Sequence, residues 1–145
     1  MGQKVNPIGL RLGISKTWNS KWFAEKDYAS QLKQDLDIQK FVKARLKHAA
    51  ISKIEVERTA KKTKVNIFSA RPGIIIGRKG DEVERLKQEL SKRTPHDVVI
   101  NIKEIKRPEI DATLIAENIA SQLERRIAYR RAVKRSIQAA MRMNI

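Results

Sequence analysis

Apolar residues return along this chain at two different periods, and the changes of period mark the elements. From Tyr28 to His48, Leu32, Leu36, Phe41, Val42 and Leu46 recur at near-helical spacing with Lys and Gln between them, which predicts one or two amphipathic helices. From Ile51 to Arg58 the period shortens to two, with Ile54 and Val56 alternating against Glu55 and Glu57, as in a strand with one buried face. Thr63 to Ser69 repeats this with Val65 and Ile67. The connection Thr59-Ala60-Lys61-Lys62 is short enough to join antiparallel neighbours, although it lacks the Asn-Gly or Asp-Gly of a tight hairpin.

After Arg71-Pro72-Gly73 comes an apolar run, Ile74-Ile75-Ile76, able to pack in a core, and then Gly77-Arg78-Lys79-Gly80. Asp81 to Leu90 follows as a helix whose face is marked by Val83, Leu86 and Leu90, and Val98 to Ile105 reads as a third strand. From Ile110 to Ile145 there is neither Gly nor Pro. Ile115, Ile119, Leu123 and Ile127 repeat every four residues, as Val133, Ile137 and Met141 do later, so this is one long helix or two consecutive ones. Asp111, after Arg107-Pro108, is placed to accept from the unpaired amides of the first turn. The order helix, strand, strand, Gly-rich loop, helix, strand predicts an α+β fold with a small sheet covered on one face. No internal repeat or low-complexity tract interrupts it.

Composition then narrows the class of partner. A chain of 145 residues that is 41% hydrophobic supports one compact domain with attached arms or helices. Its 32 Lys+Arg against 16 Asp+Glu give a net charge of +16, a field that favours a polyanion. No run approaches the ~20 apolar residues of a membrane span. The opening Met1-Gly2-Gln3-Lys4-Val5-Asn6-Pro7 lacks the features of a secretory signal, which points to the cytoplasm. With no cysteine, disulfides and thiolate metal sites are excluded.

The charge is uneven. Before Glu25 there is no acid, and Lys4, Arg11, Lys16 and Lys21 are interleaved with Gly2, Gly9, Gly13 and Pro7, which reads as an extended basic arm rather than a helix. From Glu124 to Arg142, the residues Arg125, Arg126, Arg130, Arg131, Lys134, Arg135 and Arg142 face a single acid. Arg131, Arg135 and Arg142 lie at spacings of four and seven with Arg130 and Lys134 adjacent, opposite Val133, Ile137 and Met141. This is a cationic face on an apolar-backed helix. A solvated face is the bland alternative, and a helix lying on anionic lipid is disfavoured because the stripe lacks Trp and Phe.

Gly77-Arg78-Lys79-Gly80 carries the sharpest chemistry. Gly-x-x-Gly alone is a weak signal, but here it sits between an apolar segment and a helix start, with two cations between the glycines. Glycines let backbone approach a phosphate closely, and Arg78 and Lys79 add charge at the tip, the arrangement by which a KH domain clamps about four nucleotides. The competing reading is a surface turn in which Asp81 and Glu82 serve the helix dipole themselves. Gly73 to Gly80 superficially resembles a P-loop but has three residues where four are needed, and Gly80 where Ser or Thr would hold magnesium. His48 and His96 have no catalytic or metal-binding neighbours in sequence and read as surface residues. Trp18, Trp22, Phe23, Tyr28, Phe41, Phe68 and Tyr129 read mostly as packing residues, leaving phosphate contact to dominate affinity.

These residues resemble a known family, the bacterial-type small-subunit ribosomal protein called S-three (uS-three), whose N-terminal portion holds a type II KH domain. Met1 to Pro7 with Gly9-Leu10-Arg11-Leu12-Gly13 is similar to the family's opening, and Ala70-Arg71-Pro72-Gly73 through Gly80 to its KH loop. Ser121-Gln122-Leu123-Glu124-Arg125-Arg126 and Arg130-Arg131-Ala132-Val133-Lys134-Arg135 resemble its later signature. The resemblance implies a basic arm over 1–24, a type II KH domain over 25–107 and a basic helical segment over 108–145. It also implies a structural, non-enzymatic place in the small-subunit head, with small-subunit rRNA, mRNA and neighbouring head proteins as partners and with no cofactor, small-molecule substrate or membrane. Taken with the charge pattern and the glycine-flanked loop, the expected RNA-binding set is Lys4, Arg11, Arg71, Gly77, Arg78, Lys79, Gly80, Arg125, Arg126, Arg130, Arg131, Lys134 and Arg135. Of these, Arg130, Arg131 and Lys134 match positions facing incoming mRNA, where they help open its structure without ATP.

Family members continue into a second α/β domain, and Met143-Asn144-Ile145 interrupts the usual text, so a fragment is expected. The alternative is a free-standing KH-domain RNA chaperone, which would share the loop without needing the basic opening arm. A nuclease or nucleotide hydrolase is disfavoured because acids able to hold magnesium are dispersed.

Overall fold

The computed structural model describes residues 2–59, 62–94 and 96–143, with the backbone alone at Lys79. The N-terminal segment opens on a short helix, α1 (Pro7–Arg11). Asn6 Oδ1 accepts from the Ile8 and Gly9 amides at 2.9 and 3.3 Å, and Pro7 supplies a fixed φ at the first helical position. The expectation of an extended arm rather than a helix is therefore corrected, because the Gly-rich stretch is short enough for one capped turn to form inside it. A two-residue strand, β1 (Ser20–Lys21), then pairs parallel with the strand that follows the first long helix.

That helix is α2 (Tyr28–Arg45), followed by a 3-10 turn over Lys47–Ala49. It buries Asp35, Ile38 and Val42 and leaves Leu36 46% exposed, so the expected stripe is displaced at Leu36. Asp35 occupies a position that faces inward because a cation meets it there: Arg58 Nη2 lies 2.6 Å from Asp35 Oδ1, and both side chains are buried.

Strands β2 (Ile51–Arg58) and β3 (Lys62–Ser69) pair antiparallel, as the alternation and short connection indicate; the Ala60-Lys61 tip lies outside the described residues. β3 then pairs parallel with β4 (Asp97–Glu104), giving a mixed sheet of order β1-β2-β3-β4. Parallel neighbours need a crossover. Here it is built from α3 (Pro72–Ile76), a 3-10 turn at Arg78–Gly80, and α4 (Asp81–Ser91).

The core joins Ile38 and Val42 of α2 and Ile75 of α3 to Leu86 and Leu90 of α4 and to Ile54, Val56, Val65, Ile67 and Val98 of the sheet. Each such burial is worth about 1.5–3 kcal/mol relative to exposure. Across β2, β3 and β4, Asn66 donates to Glu57 at 2.8 Å and accepts from Asn101 at 3.1 Å, so polar residues partly buried in the sheet are satisfied by one another.

The segment after β4 is two helices, α5 (Ala112–Glu124) and α6 (Tyr129–Arg142). Asp111 caps α5 as expected, accepting from the Thr113 and Leu114 amides at 3.0 and 3.1 Å. The break between them is a Schellman ending. The Ile127 amide reaches Gln122 O at 3.1 Å, the Arg126 amide reaches Leu123 O at 2.8 Å, and Arg126 takes φ +62° where glycine is usual. α5 docks on β2 through Ser52 Oγ donating to Asp111 Oδ2 at 2.6 Å.

Candidate nucleic-acid interface

The crossover presents its turn between two helix ends. Gly77 ends α3 at φ +69°, ψ −170°, and its amide donates to Gly73 O at 3.0 Å. Gly80 sits at φ +87°, ψ 6° as the N-cap of α4. The first is a conformation open essentially to glycine alone. A Cβ on Gly77 would also stand 2.8 Å from Glu82 Cγ and 3.0 Å from Glu82 Cβ, so the turn and the first residues of α4 lie back to back.

Among the described residues no side chain caps α4; the Asp81 amide donates to Arg78 O of the preceding turn, and the amides that follow it have no described side chain upon them. Asp81, Glu82 and Glu84 occupy the first turn and favour the dipole by proximity, yet none of them bonds the N-terminal amides. Arg78 is exposed beside the turn; the Lys79 side chain lies outside the described residues. Arg71 is exposed at the other end of α3, with its amide held by Ser69 Oγ at 2.9 Å.

The apolar run before the turn does not pack as a unit. In the helix only Ile75 points into the core, and Ile74 and Ile76 are 47% and 43% exposed. Sequence reasoning missed this pair. The available signal was three successive isoleucines in a segment too short to bury more than one helical face.

The other candidate cations form separate groups. Lys4 and Arg11 are exposed on the N-terminal segment, where Arg11 Nη1 donates to Pro7 O at 2.9 Å. That segment joins the β1 edge of the sheet, whereas the Gly77–Gly80 turn leads to the opposite edge strand. Arg125 and Arg126 are exposed at the C-terminal end of α5, and Arg130, Arg131, Lys134 and Arg135 along α6. Among the described residues, none of these candidate cations is held by a carboxylate of the chain; the ion pairs instead use Lys21, Lys43, Arg45, Lys53, Arg58 and Arg85.

On α6 two expectations are corrected. Among the described residues its apolar stripe is only partly covered: Val133, Ile137 and Met141 are 37%, 54% and 71% exposed, and Ala132 is the residue buried. Nor do all the cations lie opposite it. Arg130 and Lys134 line the same shallow hollow as Tyr129, Val133 and Ile137, while Arg131, Arg135 and Arg142 share a second row by their spacing.

The aromatic expectation also fails in part. Trp22, Phe41 and Phe68 are half-buried, but Trp18, Phe23, Tyr28 and Tyr129 are 68%, 86%, 57% and 61% exposed. His48 is exposed and His96 half-buried. Among the described residues no cluster of His, Asp or Glu could hold a metal ion, and no helix is long and apolar enough to cross a membrane.

A family described as the KH domain matches residues 37–110, a span that contains β2, β3, the Gly77–Gly80 turn, α4 and β4. The chain is 61% identical over 142 residues to the small ribosomal subunit protein uS3 of Geotalea uraniireducens, covering 98% of this chain and 68% of that protein. It is similar at 61% identity to the protein of the same name in Geobacter sp. strain M21, covering 98% and 67%. Against that of Desulfatibacillum aliphaticivorans the identity is 58% over 143 residues, covering 98% and 65%.

Proposed function

Because the chain belongs to the family of small ribosomal subunit protein uS3, we propose that it is a structural, RNA-binding constituent of the small ribosomal subunit. The observation that carries this reading is the Gly77–Gly80 turn. Two positive-φ glycines bring backbone to the surface at the uncapped start of α4, and exposed Arg78 stands beside them. A phosphate there meets amides, the helix dipole and a guanidinium together. Ile74 and Ile76 offer apolar surface on the same short helix, suited to the faces of unstacked bases.

The finer reading assigns roles by position. Residues 1–24 act as a basic arm and 25–107 as the KH domain, and 108–145 as a basic helical segment. Gly77, Arg78, Lys79 and Gly80 with Arg71, and Lys4 and Arg11 of the arm, contact rRNA of the subunit head. Arg125, Arg126, Arg130, Arg131, Lys134 and Arg135 line the channel through which mRNA enters, in the ribosome of the cytoplasm, beside neighbouring head proteins. Cations on two rows of α6 can follow a strand's phosphates without any catalytic group, so the chain works by charge and position. Ribosomes carrying Arg130→Ala, Arg131→Ala and Lys134→Ala together are expected to slow on structured messages more than on unstructured ones. Equal slowing on both would remove this role. Co-sedimentation with small subunits through a moderate salt wash tests the assembly itself, and a chain left in the soluble fraction would support a free RNA chaperone instead.

A further inference from the structure

The N-terminal segment carries aromatic rings that its fold does not use. Trp22 is accounted for: its Nε1 donates to the buried carboxylate of Asp35 at 2.6 Å, and its ring meets Tyr28 at a centroid distance of 5.4 Å. The pairing of Ser20–Lys21 with β2 and the Val56 amide donating to Asn19 O at 2.8 Å fix the backbone from Asn19 to Lys21. Trp18 and Phe23 flank this pinned stretch and are 68% and 86% exposed. Along it Ser20 and Trp22 turn inward while Lys21 and Phe23 turn out. Neither Trp18 nor Phe23 takes part in an aromatic pair or a cation–π contact among the described residues.

The charge around these rings is of one sign up to Glu25. Lys21 is held by Glu55 at 3.1 Å, but exposed Lys16 and Lys26 have no ion-pair partner among the described residues. Beside Trp18 lies a groove of about 650 Å³ lined by Ile8, Leu12, Trp22, Tyr28 and Leu36 among others. An apolar protein segment would cover such a groove without using the cations. Unpaired RNA uses both, because every base has a π-face and every linkage a phosphate.

We propose that Trp18 and Phe23 are a base-stacking site for unpaired RNA, with Lys16 and Lys26 neutralising the flanking phosphates. The proposal rests on reading the chain as RNA-binding, and it adds a second site apart from the Gly77–Gly80 turn. Trp18 is the stronger platform, since Glu25 and Asp27 lie just beyond Phe23. Because stacking reads no hydrogen-bond edge, the site takes any base and prefers strands that are already unpaired.

The test uses the full chain with two probes of equal charge, a ten-nucleotide oligouridine and an abasic ribose-phosphate decamer. Trp18→Leu and Phe23→Leu keep apolar area but remove the ring. Each is expected to weaken oligouridine binding about tenfold, the order of one lost stack, and to leave the abasic probe's binding unchanged. Oligouridine is expected to quench indole fluorescence in the unmodified chain but not in Trp18→Leu, where Trp22 remains as an internal reference. Leu variants that bind oligouridine as tightly as the unmodified chain overturn the proposal and point to a protein occupant of the groove. Both residues are exposed, so folding is not at stake. Arg78→Asp measured alongside separates the two sites: no effect from Arg78→Asp with a clear effect from Trp18→Leu sinks the turn reading alone, and the reverse sinks the stacking site alone.

Discussion

Replacing Gly77 by alanine tests whether the turn is held in place by backbone geometry. At φ +69°, ψ −170°, an L-residue is strained by about 1–3 kcal/mol. The new Cβ also meets Glu82 Cγ at 2.8 Å, Glu82 Cβ at 3.0 Å and the Glu82 amide nitrogen at 3.4 Å. The Cγ can move away, but the other two atoms belong to the first turn of α4, so relief shifts the helix start; overpacking of this kind costs about 1–3 kcal/mol. Together these span about 2–6 kcal/mol, and because one shift of the helix start relieves part of both, about 3 kcal/mol is expected. Gly80→Ala is the control, because φ is +87° but no atom lies within 4 Å of its Cβ, leaving left-handed strain of about 1–2 kcal/mol. For a chain of this size 1 kcal/mol moves Tm by about 3–4 °C, so losses near ~10 °C for Gly77→Ala and ~5 °C for Gly80→Ala are expected. Circular dichroism melts and urea titrations read both. A Gly77→Ala variant as stable as Gly80→Ala, or more so, would refute the close approach of turn and helix.

Two further predictions follow from buried charge. Asp35→Asn leaves Arg58 buried without its counter-charge and removes the carboxylate that accepts from Trp22 at 2.6 Å, so a loss of about 3–5 kcal/mol in urea unfolding is expected. A loss below 1 kcal/mol would show that water reaches the pair. At Glu55, burial alone would raise the carboxyl pKa, but hydrogen bonds and charge from Lys53 and Lys21 overcome it and hold the group below its ordinary value of 4.5. A depressed pKa stabilises the fold above the unfolded value and loses that contribution as pH falls through the folded one. Stability should therefore drop on acidification below about pH 4.5 and drop less in Glu55→Gln, as read from melts across pH; parallel curves for the two proteins would contradict the pairing.

How far the fold was legible depended on whether its cause was local. β2 and β3 follow from alternation of Ile54, Val56, Val65 and Ile67, all buried. The cap at Asp111 follows from one side chain and its own amides. The features missed were set elsewhere in the chain. Glu55 reads as a solvent-facing member of an alternating strand, yet it is 5% exposed because Lys21, 34 residues away in sequence, reaches it at 3.1 Å. β1 is two residues long and exists only because β2 offers an edge. The end of α5 carries no glycine to announce it, since Arg126 itself takes the left-handed conformation.

The candidate site divides the same way. The Gly77–Gly80 turn was readable because glycine spacing and helix start are adjacent in sequence, and the structure places them back to back. On α6 the sequence indicated an apolar stripe and a cationic face but not that the stripe would stay exposed among the described residues, because which helix face is buried is decided by the neighbour, here α5, the helix that α6 packs against. Aromatic exposure was illegible for a related reason: a ring's burial depends on what the fold brings over it, and Trp18 and Phe23 stay mostly exposed.

Whether the turn between α3 and α4 neutralises RNA phosphates is read most directly from the affinity of the chain for single-stranded RNA across a salt series. Arg78→Asp with Lys79→Asp is expected to weaken binding while melting at an unchanged temperature, and to flatten the slope of log affinity against log salt by about 0.7 for each lost phosphate contact. A doubly substituted chain, still folded, that binds with the original affinity and the original slope would contradict the account.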